Sequence, residues 1–287
     1  MTLSTEHPPA GRFPTRRFFG RFFGRFSGCL SGRRLLGGAM LGAVAGFALL
    51  GPLHGADPLR QNLSATLLPP GGAHPLGTNH LGRDMLARLA AGARLSFGLA
   101  LLAALAAAAA GTLLGLLAAL RGGWTERLLL GLADAVQALP ALLLVVLVTA
   151  FAPGAFLPLY LGVALALWVE FFRISRNTAA GVLARPQVEA ARLLGFGTAH
   201  ILRRHLWPEV APLVATLFAF AAGTAVTTVA ALAFIGVGAR PPVPEWGSMM
   251  TELLPYYAEA PLALLLPALL IFITVLGLHL LAGRERA

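Results

Sequence analysis

The sequence predicts an all-α integral membrane protein with six transmembrane helices, and three observations predict it. Of the 287 residues, 57% are hydrophobic and only 12% charged, about half the ~25% usual in soluble domains. The apolar residues gather into six runs near the ~20 residues needed to cross ~30 Å of hydrocarbon. The runs lack the alternation of barrel strands, and backbone polar groups in lipid must be satisfied within a segment, so the runs read as helices.

Taken in order, residues 1–34 form a basic cytoplasmic head containing a repeat, Phe18-Phe19-Gly20-Arg21 and Phe22-Phe23-Gly24-Arg25. Aromatics interleaved with arginine suit an anionic lipid surface; a solvated tail that only sets topology is the alternative. Thr15-Arg16-Arg17-Phe18-Phe19 resembles a twin-arginine export signal. Five further apolar runs follow the first, which favours a polytopic chain instead. The spans are expected at 35–53, 95–120, 128–151, 155–172, 210–237 and 261–282. Residues 54–94 form a periplasmic or interfacial segment, with Arg83, Arg88 and Arg94 on a membrane-surface helix leading into the second span. Residues 95–282 make a core of five spans with a long cytoplasmic loop at 185–208, and 283–287 a short cytoplasmic tail.

Small residues mark expected packing faces. Gly38, Gly42 and Gly46 are spaced by four, as are Gly111 and Gly115, and such spacing lets helix backbones approach. Pro140 and Pro267 fall inside the third and sixth spans, where proline removes a hydrogen bond and kinks a helix. Thr224, Thr227 and Thr228 form a polar stripe expected to bond neighbouring helices.

All 22 basic residues counted as Lys+Arg are arginine. Without lysine the chain has no P-loop, Schiff-base or S-x-x-K chemistry. The net charge of +10 lies between apolar runs, which points to a lipid bilayer and not to nucleic acid. With both termini in the cytoplasm, 17 arginines lie inside and 5 outside, the bias expected of inner loops. The lone Cys29 forms no intramolecular disulfide. Two acids, Asp134 and Glu170, fall within the spans near their cytoplasmic ends. They read as interfacial salt links, Glu170 with Arg173 one turn away. No built-in energy source is visible, so another subunit is expected to supply it. A stand-alone ion-coupled carrier or channel is the alternative; no paired acids, metal cluster or nucleophile–base pair supports an enzyme.

The 185–208 loop reads as helix, turn, helix. Pro186 suits a first helical turn and Glu189 the positive helix end. Gly195 and Gly197 permit left-handed backbone, and Thr198 suits a cap. Leu193, Leu194 and Phe196 offer apolar surface to a partner groove. Glu189, Ala190, Ala191 and Gly195, followed by His205, Leu206 and Pro208, resemble the EAA motif of permease subunits of ATP-binding-cassette importers. Leu206 replaces the usual isoleucine and Trp207 the usual leucine.

Two further blocks narrow the resemblance. The stretch 74–89, with Gly77, Thr78, Gly82, Arg83 and Asp84, is similar to the H-x-L-G-T-D-x-x-G-R-D block of the second permease of dipeptide, oligopeptide and nickel importers, Asn79 replacing Asp. The stretch 234–250, with Pro244, Glu245, Trp246 and Gly247, resembles that family's P-P-x-P-E-W-G block.

The resemblance covers roughly residues 70–280 and implies a type I importer permease fold in a bacterial inner membrane. It implies a homologous second permease, two ATPase subunits gripping the loop with ATP and magnesium bound there, and a periplasmic binding protein on the outer face. No cofactor or metal is assigned to this chain. Transported peptides or nickel and metal chelates are equally implied. Trp246 is expected at the membrane boundary or against that external partner. His54, His74 and His80 share the outer side without an acid–His cluster in their spacing. The family's usual C-terminal extension is shortened here, beyond His279 to Arg284.

Overall fold

The computed structural model describes residues 32–283. The Phe-Phe-Gly-Arg repeat, Cys29, Arg284 and Arg286 lie outside the described residues. The described chain is helical, with one isolated bridge between Thr78 and Asp84. Its main helices are α1 (Gly32–Leu50), α2 (Met85–Arg121), α3 (Gly123–Gln137), α4 (Ala141–Thr149), α5 (Phe156–Leu183), α6 (Pro186–Leu193), α7 (Thr198–Phe234), α8 (Trp246–Leu253) and α9 (Pro261–Ala282). Five of them, α1 with its following turn, α2, α5, α7 and α9, are long and apolar enough to cross a membrane.

A sixth crossing requires two shorter helices, α3 and α4, to act as one broken span. α3 and α4 meet at an angle of 87° across a short break. Pro140 does more than kink a continuous helix: its ψ of 132° places it in extended backbone just before α4. Proline pushes the residue before it away from helix and lacks the N–H that would carry the ladder across. Pro267, by contrast, lies inside α9, which runs through it unbroken.

Helix ends lie beyond the apolar runs. α5 continues past Phe172 to Leu183, since no breaker occurs before Pro186, and it buries Ser175, Ala179 and Val182 at helical spacing. α2 begins at Met85, where the Asp84 side chain accepts from Ala87 N–H at 2.8 Å and caps it. Arg88 is therefore no surface residue; it is 0% exposed inside the first turns of α2.

Packing runs along small residues. α2 buries Ala100, Ala103, Ala104 and Ala107, and a Cβ at Gly115 would stand 2.6 Å from the Phe172 carbonyl of α5. One at Gly111 would collide with the Trp168 carbonyl. The glycine stripe of α1 behaves differently. A Cβ at Gly38, Gly42 or Gly46 would meet nothing within 4 Å among the described residues, whereas one at Gly37 would strike the Gly277 carbonyl of α9. The threonine stripe makes no bond between helices: Thr227 donates to Gly223 of its own helix at 3.0 Å, a local option open to hydroxyls in helices. Leu102, Leu105, Leu113, Leu269 and Phe272 remain on the outside, as suits an apolar solvent.

Candidate functional site

The 185–208 loop is built as a projecting knob on a small core of its own. Leu116 of α2, Ala179 and Val182 of α5, Val188 of α6, and Ile201, Leu206 and Val210 of α7 pack together beneath it. α6 starts at Pro186, where the missing N–H costs nothing. It ends in a Schellman turn: Phe196 N–H donates to the Ala191 carbonyl at 3.0 Å and Gly195 N–H to Arg192 at 2.9 Å. That turn needs left-handed backbone at Gly195, whose φ is +81°. Gly197 has φ −73° and itself occupies the cap position, so Thr198 is the first helical residue and not the cap.

Glu189, Ala190 and Gly195 are exposed, Ala191 is buried, and Leu206 is fully buried under the loop, with His205 and Pro208 half-buried. Beyond the turn, Leu193 and Leu194 are 84% and 77% exposed. Phe196 stacks on His200 at 4.3 Å. Arg185 bonds Glu209 across the base at 3.1 Å. The geometry offers an apolar tip with acid and base around it.

The outer blocks fold inward. Thr78 Oγ1 accepts from Leu68 N–H at 2.8 Å and donates to the Ala65 carbonyl. Asn79 Oδ1 accepts from Leu81 and Arg83 N–H. Gly77 and Gly82 have φ of +77° and +66°, and a Cβ at either would strike the neighbouring chain. Thr78, Arg83 and Asp84 are buried. His74 Nδ1 lies 2.8 Å and His54 Nε2 3.7 Å from Asp84 Oδ2, so the fold does bring acid and histidines together where the spacing suggested none. Among the described residues no such group is arranged to hold a metal ion.

Trp246 is 0% exposed, which places it neither at a membrane boundary nor on a partner-facing surface. Its Nε1 donates to the Leu89 carbonyl at 3.2 Å, and its ring lies against Gly92. Glu245 caps α8, its carboxylate accepting from Ser248 N–H and Ser96 Oγ at 3.0 Å each. Burial pushes the Glu245 carboxyl above its ordinary range, against those hydrogen bonds. Pro244 leads into this turn, and a Cβ at Gly247 would strike the Ala230 carbonyl. One turn on, Glu252 accepts from Arg88 Nη2 at 2.8 Å. His80 stacks on Tyr256 at 5.3 Å, and burial holds its imidazole below the ordinary range, with Glu252 opposing and Arg83 and Arg88 reinforcing. Sequence reasoning missed Ser96, Glu252 and Tyr256. An isolated acid on an apolar outer helix was the only available signal.

Long apolar helices packed on small residues, with one braced end and a projecting loop, define a polytopic membrane protein. The comparisons make that class specific. Residues 111–283 match the family model described as binding-protein-dependent transport system inner membrane component. The chain is 34% identical over 217 residues to the glutathione transport system permease protein GsiD of Pectobacterium atrosepticum, covering 76% of this chain and 72% of that protein. It is 36% identical over 213 residues to the proteins of that name from Escherichia coli and Shigella boydii, covering 74% of this chain and 70% of each. The chain belongs to this family: it is an inner-membrane permease component of a binding-protein-dependent ATP-binding-cassette importer. It is a transport component and not an enzyme.

Proposed function

We propose that this chain pairs with a homologous permease to import short peptides, glutathione being the first to test. Two ATPase subunits, holding ATP and magnesium, dock on Glu189–Pro208, and a periplasmic binding protein delivers solute to the outer face that the buried Gly77–Asp84 and Pro244–Gly247 blocks support from within. ATP binding and hydrolysis then swing the helices between outward- and inward-facing states. The observation that carries this reading is the knob: Leu193, Leu194 and Phe196 project from a loop whose own core lies behind them. An exposed apolar tip of this kind suits docking into a partner groove. The likeness to glutathione permeases supports the peptide class.

Both termini are cytoplasmic. The arginine bias, 17 inside against 5 outside, supports this orientation. The test is reconstitution of the complete transporter with its binding protein in liposomes. ATP-dependent accumulation of labelled glutathione or a tripeptide is expected. ATP-independent flux through this chain alone would favour a carrier and defeat the reading.

A further inference from the structure

The broken third span carries unpaired backbone. Ala138 N–H to the Asp134 carbonyl, 2.9 Å, is the last bond of α3, and Leu144 N–H to the Pro140 carbonyl, 3.0 Å, the first of α4. Between them the carbonyls of Ala135, Val136 and Gln137 and the N–H groups of Leu139, Ala141, Leu142 and Leu143 have no backbone partner. At membrane depth such backbone is tolerated only inside protein or along a water-filled cavity.

The depth follows from packing. Val145 of α4 lies against Gly162 of α5, and the break reaches the level of Glu170, with which it lines one cavity. Glu170 stands about 21 Å along α5 from Phe156 at 1.5 Å per residue, within a hydrocarbon layer of about 30 Å. That cavity, about 330 Å³, is lined by Gln137, Pro140, Ala141, Leu144, Ala166 and Glu170 among others. It falls at the lower end of ligand-pocket volumes, ~300–1,000 Å³, room for the terminal residue of a larger solute.

Glu170 is exposed and makes no hydrogen bond or ion pair among the described residues. The expected link to Arg173 does not form, because Arg173 Nη2 pairs with Asp134 Oδ1 at 2.7 Å. That pair and Arg176–Glu126 link α3 to α5 ahead of the break. A carboxylate at this depth is costly unless it faces water or a cation. The carbonyl end of α3 adds partial negative charge beside it. Carboxylate and carbonyl dipoles converge on one opening, and both attract a cation.

We propose that this opening is a solute subsite on the translocation path, where Glu170 receives the ammonium group of a passing peptide. The inference rests on the peptide-importer reading above. The second permease supplies the opposite wall.

Two measurements on the assembled transporter test it. In a Cys29→Ser background, Glu170→Cys is expected to react with a cationic methanethiosulfonate roughly tenfold or more faster than Leu161→Cys, on the exposed side of the same helix. Equal rates would overturn the subsite whatever the solute. In uptake, Glu170→Gln is expected to lower glutathione transport by roughly tenfold or more, with Glu170→Asp retaining most of it. A Gln variant losing less than that would overturn ammonium recognition. If the wild-type transporter moves no peptide, the peptide reading fails and takes ammonium recognition with it. Thiol labelling then still decides whether the break opens to water.

Discussion

Glu245 has 1% of its surface exposed, yet Ser248 N–H and the Ser96 hydroxyl both donate to its carboxylate. Burial outweighs these donors and raises its pKa. A carboxyl raised in the folded state binds its proton more tightly folded than unfolded. Its stabilising contribution is complete below the ordinary value of 4.5 and is lost as pH rises through the folded value. The melting temperature of the solubilised transporter is therefore expected to fall more steeply with rising pH in the native chain than in Glu245→Gln, which keeps the cap without the charge. Parallel curves would contradict a buried titrating group. Glu245→Ala removes the cap and is expected to cost about 1 kcal/mol at any pH. Arg88 and Glu252 make a sharper case, since the arginine is wholly buried. Arg88→Met leaves a partly buried carboxylate unpaired, a change worth about 3–5 kcal/mol when a buried pair is broken. Arg88→Met with Glu252→Leu is expected to recover most of that loss in the same melting assay. A double variant no more stable than the single would show that the pair does not act as a unit.

Among the helices, equal spacing conceals unequal roles. Gly111 and Gly115 pack against α5, whereas a Cβ at Gly42, in an equally regular stripe, would meet nothing within 4 Å among the described residues. Gly115→Ala puts a methyl against the Phe172 carbonyl and the Ser175 Cβ, and overpacking of this kind costs about 1–3 kcal/mol. Gly42→Ala gains helix propensity of up to about 1 kcal/mol. Opposite shifts in thermal stability of the purified chain are expected, and equal losses would contradict the open surroundings of Gly42. Five of the six apolar crossings and the turn at Gly195 were legible, because hydropathy and left-handed backbone are local properties, whereas the third run is divided between α3 and α4. The ends of α2, α5 and α7 were not, because helix propensity continues beyond the hydrocarbon. Nor was the outer brace: Arg88 and Glu252 are 164 residues apart, and only the folded chain brings them together. The proline at 140 announced a distortion, but its size depends on where α4 packs on α5.

Viewed as one molecule, the chain separates what holds it together from what it presents. One end closes on itself through Trp246, Glu245 and Arg88, all buried. The end that carries the 185–208 loop does the reverse: Val188, Ile201 and Leu206 turn inward while Leu193 and Leu194 turn out. This division makes the proposed coupling role separable from folding. Leu193→Asp with Leu194→Asp alters side chains that are mostly outside the chain's own packing, so membrane insertion and melting temperature are expected to stay near native, within the ~0.5 kcal/mol typical of surface changes. Association with the ATPase subunits, read by co-purification, is expected to be lost, and ATP-driven uptake with it. Val188→Asp is the converse control: it buries a charge in the core beneath the loop and is expected to destabilise the chain before any partner is added. A transporter carrying the double leucine change that still co-purifies with its ATPases and imports normally would place the energy-coupling contact elsewhere on the cytoplasmic face.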